Sequence, residues 1–351
     1  MRLILVVLIF AMCALAQQGS QFSTANMDMT VNPCVDFYQY ACGTWMANNP
    51  IPADQSAWAV YSVLADRNRA ILRGILEKAS VDDPKRSALE QKIGDFYSSC
   101  MDEPAIDKLG AKPIEPEFKR IAAIQSKEAI FEALARLQLI GVEAFFNFSS
   151  EPDAKNSTQM IAGVDQGGLG LPDRDYYLKD DPKSVKLREQ YLAHVQKMLE
   201  LAGEPPAQAL RDAQAVLRIE TDLAKGSLDL VSRRDPNQVF HKMSGQDLAA
   251  LTPGFDWAKY FAGMSAPSFT DLDVSVPDFF KAFNTILTNT AVADIKTYLR
   301  WHLLHSAAPL LAKAFVDENF HFFGQTLTGA EQLEPRWKRC VRATDSDLGF
   351  A

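Results

Sequence analysis

Histidine is the side chain that most often brings a metal ion or a proton shuttle into an enzyme, and this chain has five. They are His194, His241, His302, His305 and His321. One common type of zinc-dependent hydrolase needs two histidines four positions apart on a helix, with a glutamate directly after the first as general base. None of the five is followed by glutamate. The sequence therefore predicts neither a catalytic residue nor a metal ligand in these 351 residues.

Two other patterns could carry chemistry but have simpler interpretations. His302 and His305 are spaced for one metal ion, yet their neighbours are apolar or basic, so we interpret them as the flank of an amphipathic helix. Asp173 and Asp175 enclose Arg174, and such a triplet more often ties a loop to itself through charge-assisted hydrogen bonds.

Composition restricts the possible partners. The chain is 47% hydrophobic and 23% charged, which is typical of a globular protein with one large or two smaller bodies. Its net charge of −8, with no basic cluster, argues against binding to nucleic acid.

The N-terminus resembles an export signal. An apolar run, Leu3–Cys13, is followed by Ala14, Leu15 and Ala16, so we expect a signal peptide cleaved after Ala16 and a periplasmic or extracellular product. The run is shorter than the roughly 20 residues that a membrane span needs, and no other segment predicts one. Acylation at Cys13 is the alternative. Cleavage leaves four cysteines, and an even number in an exported chain indicates disulfides.

Most of the chain shows helical periodicity, which predicts a mainly α, multi-helical fold with a small β-hairpin. Strands are expected at 145–149 and 159–164, with a short one at 273–276, and the polar end from Glu331 shows no helical stripe. Helices are expected at 59–80, 85–102, 126–139 (capped by Ser126), 181–203, 206–225, 277–287 and 291–315 (kinked at Pro309), with a short helical pair within 248–264.

The stretch from Pro33 to Trp45 is the most unusual part of the sequence. It holds Cys34 and Cys42, four aromatic residues and a Gly-Thr-Trp segment that we interpret as a turn. Its aromatic residues at helical spacing cannot be buried within so short a segment, so it needs a larger body to pack against.

This stretch resembles the opening of the neprilysin-like zinc metallopeptidases, peptidase family M13. Later blocks are similar to that family in the same order, and the similarity as a whole covers nearly everything from Asn32 to Ala351. The similar blocks are Pro33–Trp45 with Ile51–Pro52, Leu169–Tyr177, Tyr298–Trp301 and Pro335–Val341.

The resemblance implies the N-terminal half of an exported zinc metalloendopeptidase that acts on peptides. In that family a helical lobe covers a catalytic lobe, and zinc binds in the C-terminal half, so this chain is expected to be inactive alone. Its end, Asp347–Ala351, resembles the family's next block cut short. A stand-alone module that binds a peptide or a partner remains the alternative. The expected regions are signal peptide 1–16, mobile leader 17–31, opening segment 32–58, helical domain 59–340 and the start of the catalytic lobe 341–351.

The resemblance also assigns individual residues. It implies a disulfide between Cys100 and Cys340, and it places the partners of Cys34 and Cys42 near the far C-terminus of the family's chains. Here those two cysteines are expected to be free, strained into a bond with each other, or cross-linked between chains. Several family members hold the substrate's C-terminal carboxylate with an arginine at the position of Ala57. Alanine has no donor, so this clamp is lost.

Overall fold

The computed structural model describes residues 23–350, and the expected signal peptide lies outside them. The described residues are mainly helical, with fifteen α-helices and one small four-stranded sheet, which confirms the predicted fold class. The helices are α1 (Phe37–Asn48), α2 (Val60–Ala79), α3 (Ala88–Met101), α4 (Glu103–Leu109), α5 (Glu115–Ala122), α6 (Glu128–Leu139), α7 (Asp175–Leu178), α8 (Pro182–Leu201), α9 (Pro206–Gly226), α10 (Gly245–Leu251), α11 (Trp257–Gly263), α12 (Pro277–Asn289), α13 (Val292–Ala307), α14 (Lys313–Asn319) and α15 (Arg336–Leu348). The strands are β1 (Phe146–Asp153), β2 (Asn156–Gln166), β3 (Lys242–Ser244) and β4 (Asp271–Val274).

The chain divides into two compact units. Unit 1 combines the residues up to Met101 with those from Thr328 onward, and unit 2 is the intervening Asp102–Leu327. Unit 1 is therefore built from both ends of the described chain.

In unit 1, α2, α3 and α15 enclose a small core. Leu76, Tyr97, Cys340 and Val341 are buried there together. Gly94 allows α3 to approach the end of α2 closely, because a Cβ at this position would lie 2.1 Å from the Ala79 carbonyl oxygen. A core of this size stabilises only a few helices, so unit 1 depends strongly on each of its contacts.

Helix α15 was not expected, and the interpretation of the polar end was wrong. The helix buries Cys340, Val341 and Thr344 and leaves most of its remaining length polar. Three buried positions close together do not produce a recognisable apolar stripe, although they suffice to anchor one helix.

In unit 2 the long helix α9 packs against α8, α12 and α13. Asp181 caps α8 through hydrogen bonds from the amides of Lys183 and Ser184, with Pro182 at the first helical position, as the sequence predicted. Helix α6 does not begin as predicted, because Lys127 rather than Ser126 occupies its N-cap position.

The predicted hairpin is present, but it belongs to a larger sheet with the strand order β1-β2-β4-β3. Strands β1 and β2 are antiparallel, whereas β2 and β4 run parallel and pair Val164 with Val274. Strand β3 has three residues and was missed, since a segment this short carries no alternation. On the core side, the ring of Phe146 contacts the rings of Phe255, Trp257 and Tyr260 at centroid distances of 5.1–5.7 Å.

The single kinked helix expected over 291–315 is two helices. Helix α13 ends at Ala307, the turn Ala308–Leu310 follows, and α14 begins at Lys313. Pro309 has no amide hydrogen to continue the helical ladder, so the chain turns there.

Candidate functional site

Helix α1 carries the opening stretch and has almost no core of its own. Asp36 caps it by accepting a hydrogen bond from the Gln39 amide at 2.9 Å. The helix continues through Gly43, Thr44 and Trp45, so the expected turn is absent. Gly43 is its only buried residue, and Phe37 and Tyr38 are each 69% exposed.

Residues 24–31, expected to be a mobile leader, lie against α1. The Asp28 amide donates to the Tyr40 carbonyl oxygen at 2.8 Å, and the Thr44 hydroxyl donates to the Met27 carbonyl oxygen at 2.8 Å. These contacts are polar and bury little apolar surface. A helix of twelve residues is marginal in water without tertiary packing, so α1 needs a further contact on its aromatic side.

Helix α2 has two apolar faces. One face packs inward through Leu76 and Ala79. The other leaves Leu64, Ile71 and Ile75 exposed at spacings of seven and four, which places them on one side of the helix. We call the exposed apolar residues of α1 and α2 the docking surface; they are Phe37, Tyr38, Tyr61, Val63, Leu64, Ile71 and Ile75.

Ala57 lies exposed in the segment between α1 and α2, and this segment is held firmly by unit 1. The Ala53 carbonyl oxygen accepts hydrogen bonds from the amides of Glu331 and Gln332, both at 2.9 Å. Lys338 on α15 lies 3.3 Å from Asp54. Burial opposes the charge on Lys338, but its hydrogen bonds to carboxylates outweigh burial and raise its pKa. The backbone beside Ala57 is thus fixed, while its methyl group offers nothing that could bind a carboxylate.

The cysteines of unit 1 fall into two groups. Cys100 and Cys340 form a disulfide with their Cα atoms 5.7 Å apart. Cys34 is exposed and Cys42 half-buried, and neither is in a disulfide with another cysteine among residues 23–350. Cys34 precedes α1, so the two thiols do not lie on one continuous helix.

Unit 2 contains a buried polar network centred on Glu220 of α9, a carboxylate without solvent exposure. Its oxygens accept hydrogen bonds from the hydroxyls of Tyr177 at 2.9 Å and Tyr191 at 3.1 Å. A third contact, 3.1 Å long, joins it to His302 Nε2. Burial, with the nearby Glu220 carboxylate, raises the pKa of both tyrosines well above the usual value. They therefore remain protonated donors.

The network explains the fold of the Leu169–Tyr177 block. The Tyr177 hydroxyl also accepts a hydrogen bond from the Leu171 amide at 2.8 Å. Tyr298 similarly accepts from the Phe145 amide and donates to the Gly168 carbonyl oxygen, both at 2.8 Å. These side chains fix the irregular loop between β2 and α7.

The histidine pair is deeper than expected. His302 is buried and has a carboxylate partner, so the expectation of apolar and basic surroundings was wrong. Glu220 was missed because it lies 82 residues away in sequence. Its position offered a signal, since it follows the buried Val216 and Ile219 and precedes Leu223 on the apolar face of α9.

The Asp173–Asp175 triplet does not form the expected internal ion pairs. Asp173 accepts a hydrogen bond from the Asp175 amide at 2.7 Å, and Asp175 pairs with Lys179 at 2.9 Å. The Nε of Arg174 is buried without a hydrogen-bond partner in the described structure. The loop is therefore tied by its carboxylates rather than by Arg174.

Zinc does not fit the residues that the structure describes. Within 23–350, no three side chains of histidine, cysteine, aspartate or glutamate lie in position to hold a metal ion. His194 and His302 are instead engaged by Glu318 and Glu220. Nor is any helix in this range long and apolar enough to cross a membrane.

Comparison with known proteins identifies the family. The model described as peptidase family M13 matches residues 33–351. The chain belongs to peptidase family M13. Endothelin-converting enzyme 1 of Mus musculus is 31% identical over 339 residues, which cover 93% of this chain and 43% of that enzyme. Neprilysin-3 of Drosophila melanogaster is 30% identical over 347 residues, which cover 93% of this chain and 44% of neprilysin-3.

A solved zinc metalloprotease has the same fold over most of this chain. The zinc metalloprotease Zmp1 of Mycobacterium tuberculosis, in complex with an inhibitor, superimposes with a TM-score of 0.87 at 31% identity. The match covers 93% of this chain and 50% of Zmp1. The chain thus spans less than half the length of the curated M13 relatives above, and it corresponds to the N-terminal region of the family.

Proposed function

We propose that this chain is the N-terminal part of an exported zinc metalloendopeptidase that acts on peptides, and that it is not catalytic by itself. The superposition on the inhibitor-bound zinc metalloprotease Zmp1 supports this most strongly, because it covers 93% of the chain and only half of Zmp1. The disulfide between Cys100 and Cys340 is consistent with export to an oxidising compartment.

In this proposal the zinc ligands come from a region of the enzyme outside the 351 residues. The potential metal ligands in the described residues support this location of the zinc site, because the buried imidazoles of His194 and His302 already contact carboxylates. What the chain supplies is the helical lobe and its docking surface.

The docking surface is proposed to contact that zinc-binding region. Its aromatic and aliphatic side chains are exposed on α1 and α2, two consecutive helices of unit 1, and we take such exposed apolar groups to mark an interaction site. Cys34 and Cys42 lie at the same end of the chain, so their thiols are proposed to be bonded to the zinc-binding region in the complete enzyme.

Metal analysis and a peptide assay on the purified chain test the central proposal. After dialysis we expect less than stoichiometric zinc, and no cleavage of a quenched fluorescent peptide. One zinc ion per chain, together with cleavage that a chelator abolishes, would overturn it.

The segment at Ala57 suggests a substrate preference. Because its side chain cannot bind a carboxylate, we propose that the enzyme does not favour release of dipeptides from a free C-terminus. In the complete enzyme, kcat/KM for a peptide acid and for its amide should be similar, and Ala57→Arg should favour the acid. A strong preference of the unmodified enzyme for the acid would contradict this.

A stand-alone binding module is the second candidate, because unit 1 has its own core and disulfide within the described chain. Thiol titration combined with light scattering distinguishes the two. Free or intermolecularly bonded Cys34 and Cys42, in a chain that self-associates, favour the partial enzyme. A cooperatively folding monomer with both thiols oxidised favours the module.

A further inference from the structure

The segment that leads from unit 2 into unit 1 is a π-helix, Phe320–Thr328, directly after α14. Two of its phenylalanines pack on histidines of unit 2, of which His194 is buried and His305 partly buried. Phe322 stacks on His194 of α8 with ring centroids 4.9 Å apart and planes 13° apart. Phe323 contacts both His194, at 5.3 Å, and His305 of α13, at 4.7 Å. The imidazoles therefore form the surface on which the π-helix rests.

Each of these histidines buries a ring nitrogen with no hydrogen-bond partner in the described structure. His194 uses its Nδ1 for Glu318 at 2.8 Å, which leaves its Nε2 without a partner. His305 buries an unpartnered Nδ1. Trp301 packs against both rings, at 5.7 Å and 5.4 Å, and helps to close the site. An unpartnered nitrogen is tolerable in a neutral imidazole, but a proton added there would find no acceptor.

The charged groups around the pair oppose protonation in the closed state. His302, one turn earlier on α13, is held by Glu220 of α9, and the imidazole of His321 in the π-helix lies near enough to His194 to disfavour a proton there. Burial, reinforced by His302 and His194, lowers the pKa of His305 to about 3. Burial also lowers the pKa of His194, although Glu318 counteracts it. Among residues 23–350, no carboxylate forms an ion pair with His305.

We propose that protonation of His305 and His194 releases the π-helix from α8 and α13, so that the stretch joining the two units loosens in acid while the core of unit 2 stays folded. Histidines exposed by the release regain an ordinary pKa near 6.5 and bind protons that the closed form excludes. Below pH 6.5, each proton bound only by the open form raises the equilibrium constant for release of the π-helix about tenfold for every unit by which the pH falls. This increase stops when the histidines of the closed form become protonated as well.

Hydrogen exchange of the full chain between pH 7 and pH 4, corrected for the intrinsic exchange rate, measures this opening. Protection within 320–327 should fall about tenfold per pH unit for one proton, and up to about a hundredfold when both histidines contribute. The amides of α9 should keep their protection. His305→Leu should reduce the slope by one proton, whereas His241→Gln, which changes a histidine next to strand β3, should leave it unchanged.

Three results would overturn the proposal. They are protection that does not change with pH, an unchanged slope in His305→Leu, and simultaneous loss of protection in α9. If His305→Leu fails to fold, NMR titration of the histidine rings in the unmodified chain decides, because an ordinary pKa for His305 in the closed form would also refute it.

Discussion

At the scale of single residues, the hydroxyl of Tyr177 is the clearest test of the Glu220 network. It donates to Glu220 and accepts from the Leu171 amide, so Tyr177→Phe leaves two buried groups short of a partner. We expect a loss of about 2–4 kcal/mol in the free energy of unfolding, measured by urea denaturation. Tyr61→Phe, at a residue that is 72% exposed, is the matched control and should change stability by less than about 0.5 kcal/mol.

Glu204 gives unit 2 a dependence on pH. Its Oε1 lies 2.7 Å from Arg300, yet burial, aided by Asp212, raises its pKa to about 7 from an ordinary value of 4.5. The folded state therefore holds the proton more tightly. The stabilisation that protonated Glu204 gives the folded state is fully present below pH 4.5 and is lost as the pH rises through 7.

Relative to Glu204→Gln, the unmodified chain should lose about 1–2 kcal/mol of unfolding free energy between pH 4.5 and pH 8, after allowance for solvent screening of this partly buried carboxyl. Asp229→Asn is the control, because hydrogen bonds from Ser232 lower the pKa of Asp229 to about 2 and place its titration below this window. Unfolding curves of all three proteins measured in parallel would show the effect. A difference between Glu204→Gln and the unmodified chain that stays constant with pH would contradict it.

At the scale of elements, the disulfide fixes α15 on α3. It closes a loop with a sequence separation of 240 residues, for which the chain-entropy model gives about 5 kcal/mol. In Cys100→Ala/Cys340→Ala, α15 should lose hydrogen-exchange protection first, with unit 2 unaffected. Cys34→Ala is the comparison, since that exposed thiol is in no disulfide of the described structure and its loss should not change α15. Equal hydrogen-exchange protection of α15 with and without the disulfide would show that the small core of unit 1 holds this helix in place by itself.

The long helices could be predicted from sequence because each has a sustained apolar stripe. Helix α9 buries Val216, Ile219 and Leu223 at regular spacing, and its bounds agree with the prediction within a residue. Helix α15 and strand β3 could not be recognised, because they bury too few residues for a period to appear. Local pattern thus determines an element only when the element is long enough to repeat.

The polar centre of unit 2 was beyond sequence reasoning for a different reason. His302 meets Glu220, and His194 meets Glu318 from 124 residues away. The packing of the helices decides which carboxylate each histidine contacts. The spacing of residues along the chain does not reveal that packing. The exposure of Phe37 and Tyr38, in contrast, was anticipated, because aromatic residues in a short segment cannot bury one another. The exposed apolar face of α2 was not anticipated.

At the scale of the whole molecule, the docking surface should make the isolated chain associate. Ile71→Lys/Ile75→Glu changes two exposed positions of α2 without touching Leu76, so unit 1 should still fold. We expect the unmodified chain to form oligomers with rising concentration in light scattering, and the variant to remain largely monomeric. Lys186→Glu/Glu189→Lys on α8 is the matched control and should behave as the unmodified chain does. An unmodified chain that stays monomeric at high concentration would argue against an open apolar surface.

The assembly of unit 1 from both ends of the chain has a consequence for its biogenesis. Cys100 is synthesised 240 residues before Cys340, a delay of roughly 10–50 s at ordinary ribosome speeds. During that interval the thiols already available to it, within the described chain, are Cys34 and Cys42. Oxidation in this period yields bonds that must later be exchanged, so the yield of correctly paired protein should depend on a disulfide isomerase and on delayed oxidation.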